Sequence, residues 1–260
     1  MKYPGRVVRL GEADPKVVKA VKEQLNKALH LPQEGVGALD ESNPNFGATT
    51  EQVVKLFQCR NADALGRPLL EDGEIGALTW AALFGEASVP VADQAKTPLL
   101  QKVVEVAASQ VGVREVPKSS NRGPQVEVYL ASTGTPAGSW WCCAFTYWCF
   151  REAATALGVA NPMLNTAHCL THWNGAKQRG AQRVHTGDAV ANPALVKPGM
   201  LFILDKGGGN GHTGVVERVA GEFIYTIEGN SNASGGADGD GVYRLRRKID
   251  TINKGFIDYA

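Results

Sequence analysis

Three cysteines crowd into the stretch SWWCCAFTYWCF, residues 139–150, and the chain holds five cysteines and five histidines in all. An odd number cannot all pair internally, and three thiols so close together make a poor disulfide framework, so at least one thiol is free. A free thiol acts as a thiolate, and a thiolate nucleophile needs an imidazole to take or share its proton and a third group to orient that imidazole. Ser139 is a suitable helix cap, and no Gly or Pro follows until Gly158, which predicts a helix of about nineteen residues with Cys142 in its first turn. Free N–H groups and the helix dipole favour a thiolate there, for Cys142 and Cys143 alike. Cys149 lies two turns further along and gains nothing.

The imidazole comes from His30, His168, His172, His185 or His212. His212 opens a strand-like run after GGGNG, and a hairpin follows. With Val219, Ala220 and Gly221 as a three-residue loop, Gly221 supplies the left-handed position and Arg218 lies opposite Glu222. Carried down the ladder, this register sets His212 opposite Glu228, whereas a loop one residue shorter turns Glu228 to the other face. If the strand stays extended, Asn230 continues on the Glu228 side, so one of these two residues orients His212.

Other readings compete for the same residues. HCLTH places His168 and His172 at i and i+4 with Cys169 beside them, which suits zinc. No Glu follows His168, and no fourth ligand has convincing spacing, so an amphipathic helix or a secondary role in a substrate cleft is the better expectation. Cys142 and Cys143 as a vicinal disulfide or oxidation sensor would block catalysis until reduced. GGGNG lacks the Lys, the Ser/Thr and the following helix of a phosphate loop and reads as a hairpin turn. ADGDG, residues 237–241, falls short of a calcium loop and reads as a plain turn. No metal and no cofactor is expected.

The elements that must position these residues are helices first and strands second. Val103, Val106, Ala107 and Val111 fit a helix ending at Gly112, a loop with a short helix leads to the cysteine stretch, and a second helix is predicted from Thr166 to about Arg179. MLFIL, HTGVVERV, EFIYTIE, GVYRLRR and GFIDY then suit an antiparallel sheet, giving an α+β domain over residues 99–260 with the tryptophan-rich helix packed through Phe145, Trp148 and Phe150. Residues 86–98, with two prolines and no periodicity, read as a linker. Before it, Val17, Val21, Leu25 and Leu29 mark a helix from Pro15 that stops before Pro32. FGATT and IGALT each lead into a helical run, with Thr49 and Gln52 as a capping box and Thr79 as a second cap. Residues 1–85 therefore form a small three-helix domain.

Two resemblances follow from these motifs. Thr50, Val53, Val54, Phe57 and Gln58, followed by Asp72, Gly73, Ile75, Gly76, Thr79, Trp80 and Leu83, are similar to the three-helix peptidoglycan-binding domain family, apart from an insert-like NADALGRPLLE. The same apolar positions also suit a plain helical docking or dimerisation module. WCCAFTYW, GHTGVV and IEGNSN, in that order, resemble the CHAP family of cysteine amidohydrolases and peptidases, papain-like and within the NlpC/P60-type superfamily. That resemblance implies a papain-like fold with helices packed on the sheet, Cys142 as nucleophile, His212 as base, and Glu228 and Asn230 as orienting residues. The GVREVP loop is similar to the segment that precedes the nucleophile in one CHAP branch, which would bring Asn121 or Tyr129 near the site. Cys143, where the family has Ala, is a departure.

Together the two imply a peptidoglycan hydrolase that cuts an amide bond, either as an N-acetylmuramoyl-L-alanine amidase or as an endopeptidase of the stem peptide or cross-bridge. A net charge of +1, from 27 basic and 26 acidic residues, gives no wholesale attraction to nucleic acid or to an anionic membrane. The N-terminal residues lack the apolar run of a signal peptide, and no segment is long and apolar enough to span a bilayer. The expectation is a monomer made in the cytoplasm that reaches the wall through a holin-type pore, as a phage endolysin does, or through a secretion system as an antibacterial effector paired with an immunity protein. A non-catalytic wall-binding protein, or a redox or zinc sensor built on the cysteines, is the alternative.

Overall fold

The structure is a computed structural model in which residues 1–31, 37–63, 66, 68–236 and 238–260 are described. The chain divides into two compact units, one of residues 1–91 with 220–222 and one of residues 92–219 with 223–260.

The first unit contains α1 (Pro15–Ala28), α2 (Ala48–Arg60) and α3 (Ala77–Phe84). Asp14 starts α1 by accepting the N–H of Lys16 at 2.9 Å, with Pro15 in the first turn, and Val17, Val18, Val21 and Leu25 form its buried face. The expected stop at Pro32 lies outside the described residues, and α1 closes earlier, at Ala28. Neither expected threonine cap is present. The extended backbones of Gly47 and Gly76 precede α2 and α3, so both helices begin before their threonines. Thr79 instead accepts from Gln58 Nε2 at 3.3 Å. Buried Gln58 also donates to Asp72 Oδ1 at 2.9 Å and to the Glu74 carbonyl at 2.8 Å, and its Oε1 receives the Gly73 N–H at 2.9 Å. The FQ and DG.IG..T motifs are thus one hydrogen-bonded clasp joining α2 to the turn before α3. The stretch read as a linker holds a 3-10 turn, Glu86–Ser88, and a two-residue strand, β1 (Val91–Ala92).

The second unit has helices α4 (Pro98–Ser109), α5 (Pro124–Ser132), α6 (Cys142–Leu157), α7 (Cys169–Gly175) and the short α8 (Thr186–Ala191). Its strands are β2 (Gln182–His185), β3 (Leu201–Gly207), β4 (Asn210–Ala220), β5 (Phe223–Ser231), β6 (Gly241–Lys248) and β7 (Gly255–Asp258), hydrogen-bonded in the order β2-β7-β3-β4-β5-β6. The antiparallel sheet with its helices is the α+β layout of papain-like folds. Alternation along the strands divides the core. Leu201, Ile203, Val215, Ile227 and Ile257 pack with Leu100, Val103, Phe145 and Phe150 of the helices, while Phe202, Val216, Ile224 and Phe256 join a second cluster with Ile249 and Ile252. Full burial of each large side chain supplies roughly 1.5–3 kcal/mol.

The five predicted strands are present, and β2, which pairs with β7, was not foreseen. Helix starts differ more. Ser139 lies in a turn, its N–H on the Pro136 carbonyl at 3.3 Å, and α6 begins three residues later at Cys142 with Trp141 as its cap. It closes as expected at Gly158, which is left-handed at φ 66°. The next helix starts at Cys169 rather than Thr166, because the Thr166 hydroxyl accepts the His168 N–H at 3.1 Å and holds a turn ahead of it.

Candidate active site

Trp141 sets the position of α6. Its Nε1 donates to Glu115 Oε1 at 2.8 Å, and the second oxygen of buried Glu115 receives the Asn121 N–H at 2.9 Å. Tyr129 stacks on the Trp141 ring, centroids 5.6 Å apart, and meets the edge of Phe145 at 5.2 Å. From the sheet side, a Cβ on Gly229 would lie 2.7 Å from Trp141 Cζ3 and 2.8 Å from Phe145 Cβ. Only glycine in the IEGN motif allows β5 and α6 this approach. Phe145 N–H makes the first intrahelical bond, to the Trp141 carbonyl at 2.8 Å. The N–H groups of Cys142, Cys143 and Ala144 precede it without intrahelical acceptors, as at any helix start.

On the sheet, His212 Nε2 and Glu228 Oε2 are 2.7 Å apart, with the residues 1% and 0% exposed. The His–Glu contact expected from the hairpin is therefore made, with Gly221 left-handed at φ 57°. The contact is made without the expected loop: β4 ends at Ala220 and β5 starts at Phe223, a two-residue turn from which strict alternation would set Glu228 on the other face, and Arg218 stacks on the Tyr225 ring at 3.9 Å. Gly214 makes room for the pair, because a Cβ there would lie 2.7 Å from Glu228 Cγ. Glu228 is further held by Arg247, Nε to Oε1 and Nη2 to Oε2 both at 2.6 Å, and by the Thr226 hydroxyl at 2.6 Å.

These contacts set the charges. Burial pushes the Glu228 carboxyl up, but the Arg247 fork and His212 outweigh it and hold it down at about 2. Burial pulls His212 down, yet Cys142 and Glu228 beside it lift it to about 9. With Nε2 engaged by Glu228, the buried Nδ1 has no protein hydrogen-bond partner and is the nitrogen left for the thiol. The Cys142 thiol is pushed well up, first by the Cys169 thiol and then by burial, while His212 pulls it down. The lowering expected from the helix terminus alone is thus outweighed, and ionisation of Cys142 depends on passing its proton to His212.

The three neighbouring thiols separate by geometry. Cys142 opens into a cleft of about 560 Å³ bordered by Ser139, Trp140, His168, Cys169 and Asn210. Cys143 is buried, with Sγ 3.3 Å from the Thr166 carbonyl. Cys169 Sγ lies 3.6 Å from Cys142 Sγ, and all five cysteines are free.

Asn230 does not continue on the Glu228 side. The strand breaks its alternation at a register shift between Glu228 and Ser231, and Asn230 is left-handed at φ 53° with its buried Oδ1 unpartnered. No hydrogen bond joins it to His212 among the described residues, and Glu228 is the residue that does so. Asn121 and Tyr129 buttress Trp141 and border no part of the cleft. His168 faces the cleft at the cap of α7, whereas His172 is fully buried, 2.8 Å from the Tyr259 hydroxyl, and pushed down to about 4 by that burial. The i and i+4 pair is therefore no ligand pair, and among the described residues no group of three or more His, Cys, Asp or Glu is placed to hold a metal ion. GGGNG is a hairpin turn whose Gly209 and Asn210 border the cleft. In ADGDG, Ala237 lies outside the described residues, and Asp240 receives the Tyr243 hydroxyl at 2.6 Å.

Sequence reasoning missed Arg247, Thr226 and Glu115, and it named Cys169 beside His168 without its approach to Cys142. The β5–β6 register, which sets Ile224 opposite Arg247 and Glu228 opposite Tyr243, puts Arg247 on the Glu228 side of the ladder, a pairing that strand alternation alone does not fix.

Residues 133–230 match the family model of the CHAP domain. The matched segment contains Cys142, His212, Glu228 and Asn230, and CHAP domains are hydrolases of the amidase and peptidase class that act on peptidoglycan. No curated protein and no solved structure matches the chain.

Proposed function

We propose that the chain is a cysteine-dependent hydrolase of peptidoglycan amide bonds. One observation carries this reading: Cys142, at the start of α6 and open to a cleft, interacts with a buried His212 whose Nε2 is fixed 2.7 Å from Glu228. Cys142 passes its proton to His212 Nδ1 and its sulfur attacks the amide carbonyl. The tetrahedral oxyanion is met by first-turn N–H groups of α6, which have no intrahelical acceptor. The His212 imidazolium, steadied by Glu228, then protonates the leaving amine. In the second half, His212 takes a proton from water, the resulting hydroxide displaces sulfur, and the acid product leaves. Asn230, turned away from the ladder, is assigned to the site by the CHAP resemblance alone.

The first unit is read as the wall-binding module, on its resemblance to three-helix peptidoglycan-binding domains. Tethering raises the local concentration of substrate without new contacts in the cleft. Both an endolysin and an injected effector met by an immunity protein suit a wall hydrolase. Either way the chain works as a monomer on peptidoglycan, with no cofactor.

Mass spectrometry of muropeptides after digestion of purified sacculi tests the proposal and identifies the bond. The parent should release new amino groups at one linkage, and Cys142→Ala should release none. Equal release by Cys142→Ala would overturn it.

A further inference from the structure

Glu228 is fully buried, and a carboxylate in such a place with no cation beside it takes up a proton. Arg247 prevents this through a planar fork on a planar carboxylate, with two contacts of 2.6 Å that fix both oxygens at once. The guanidinium is itself held. Nη2 also donates to the Gly235 carbonyl at 3.0 Å, and the group lies 5.3 Å from the Phe202 ring, whose centroid is 5.9 Å from that of His212.

We propose that Arg247 is a positioning residue of the hydrolytic site, clamping Glu228 in the one rotamer whose Oε2 receives the His212 Nε2–H. The inference rests on the reading of Cys142 and His212 as nucleophile and base, and it lies outside the segment matched by the CHAP family, which ends at residue 230. Its chemical content is a choice of tautomer. While Glu228 is ionised it can only accept, so a neutral His212 carries its proton on Nε2 and keeps a lone pair on Nδ1 for the Cys142 proton. A protonated Glu228 can donate to Nε2, which moves the imidazole proton to Nδ1 and removes the base.

Among the described residues, the titratable and charged groups that face this carboxylate are His212 from β4 and Arg247 from β6. Beyond His212 stand Cys142 of α6 and Cys169 of α7. From its own strand comes the neutral Thr226 hydroxyl, and Tyr243, its cross-strand partner, turns its hydroxyl to Asp240. Among the described residues, Arg247 is thus the cation in contact with Glu228 apart from the His212 imidazolium.

The test uses the full chain as parent, Arg247→Gln and Arg247→Lys, with folding checked by thermal melts. Two pH profiles are recorded for each. One is kcat/KM on purified muropeptides. The other is the rate of Cys142 carboxamidomethylation by iodoacetamide, read by peptide mapping, which needs no turnover. For Arg247→Gln, both acid limbs should move up by at least about one pH unit, and kcat should fall on the order of tenfold to a hundredfold with little change in KM. Arg247→Lys, which keeps the charge without the fork, should leave the acid limb near the parent's and still lose about tenfold in kcat. A folded Arg247→Gln whose activity is scaled down equally at every pH, with an unmoved alkylation profile, would show a merely structural residue and overturn the proposal. If Arg247→Gln does not fold, Arg247→Lys decides, and parental kcat there overturns the clamp. Failure of the underlying reading looks different: Cys142→Ala would retain hydrolysis whatever residue stands at 247.

Discussion

Replacing Glu228 by glutamine preserves shape and removes charge, so its effects divide into a stability part and a catalytic part. The carboxylate receives Arg247 Nε and Nη2 and the Thr226 hydroxyl at 2.6 Å each and His212 Nε2 at 2.7 Å. A glutamine has one oxygen to accept and an NH2 that must face one of these donors. Arg247, whose side chain is only 15% exposed, is left as a nearly buried cation without its anion. Removing one partner of such a pair costs about 3–5 kcal/mol, or roughly 6–20 °C in Tm for a unit of this size. In catalysis, an NH2 facing His212 Nε2 drives the imidazole proton to Nδ1. A wrong tautomer of this kind lowers kcat on the order of 10⁴-fold in triad hydrolases, equivalent to about 5.5 kcal/mol.

The sign of the pH effect follows from the imidazolium. His212 is raised to about 9 in part by Glu228, and the leaving amine needs its proton, so parental activity is lost as pH rises through about 9. Glu228→Gln should bring that alkaline limb to lower pH. Muropeptide hydrolysis across pH, with melts on the same preparations, measures both parts. A folded Glu228→Gln within about tenfold of parental kcat/KM, with its alkaline limb still near 9, would refute the orienting role of Glu228.

Three further outcomes follow from the same geometry. Glu228 falls from an ordinary 4.5 to about 2 on folding, so its stabilisation of about 3 kcal/mol is present above 4.5 and lost as pH drops towards 2. Urea midpoints at successive pH values should show this decline, which Glu228→Gln should lack. Gly229→Ala forces a Cβ to within 2.8 Å of Trp141 and Phe145. It should cost about 1–3 kcal/mol in urea unfolding and reduce turnover by displacing the start of α6. Cys143→Ala, whose thiol faces the Thr166 carbonyl away from the cleft, should lose about 1 kcal/mol of stability or less and leave turnover near parental, measured beside Cys142→Ala.

Much of this arrangement was legible in the sequence because it rests on short-range rules. Alternation located five strands, and glycine at 158 and 221 located a helix end and a turn, while His212 meets Glu228 without the three-residue loop that predicts their pairing. Helix starts were less legible, because a glycine backbone at 47 and 76, and Trp141 rather than Ser139 at α6, took the caps that side-chain preference assigned to Thr and Ser. The side of Asn230 was lost to one left-handed residue, which no alternation pattern contains. Cys169 meets Cys142 through the path of the loop from Gly158 to His168, and Glu115 meets Trp141 across 26 residues. Such contacts are decided by tertiary packing, beyond the reach of spacing.

The central claim is that Cys142, and neither Cys143 nor Cys169, is the attacking thiol. Graded inactivation by iodoacetamide, with residual muropeptide hydrolysis plotted against the modified fraction of each cysteine, tests it most directly. The account predicts that activity falls in proportion to carboxamidomethylation of Cys142 and reaches zero when that residue is fully modified. Hydrolysis that persists on fully modified Cys142, or that falls with Cys143 or Cys169 while Cys142 is intact, would contradict it.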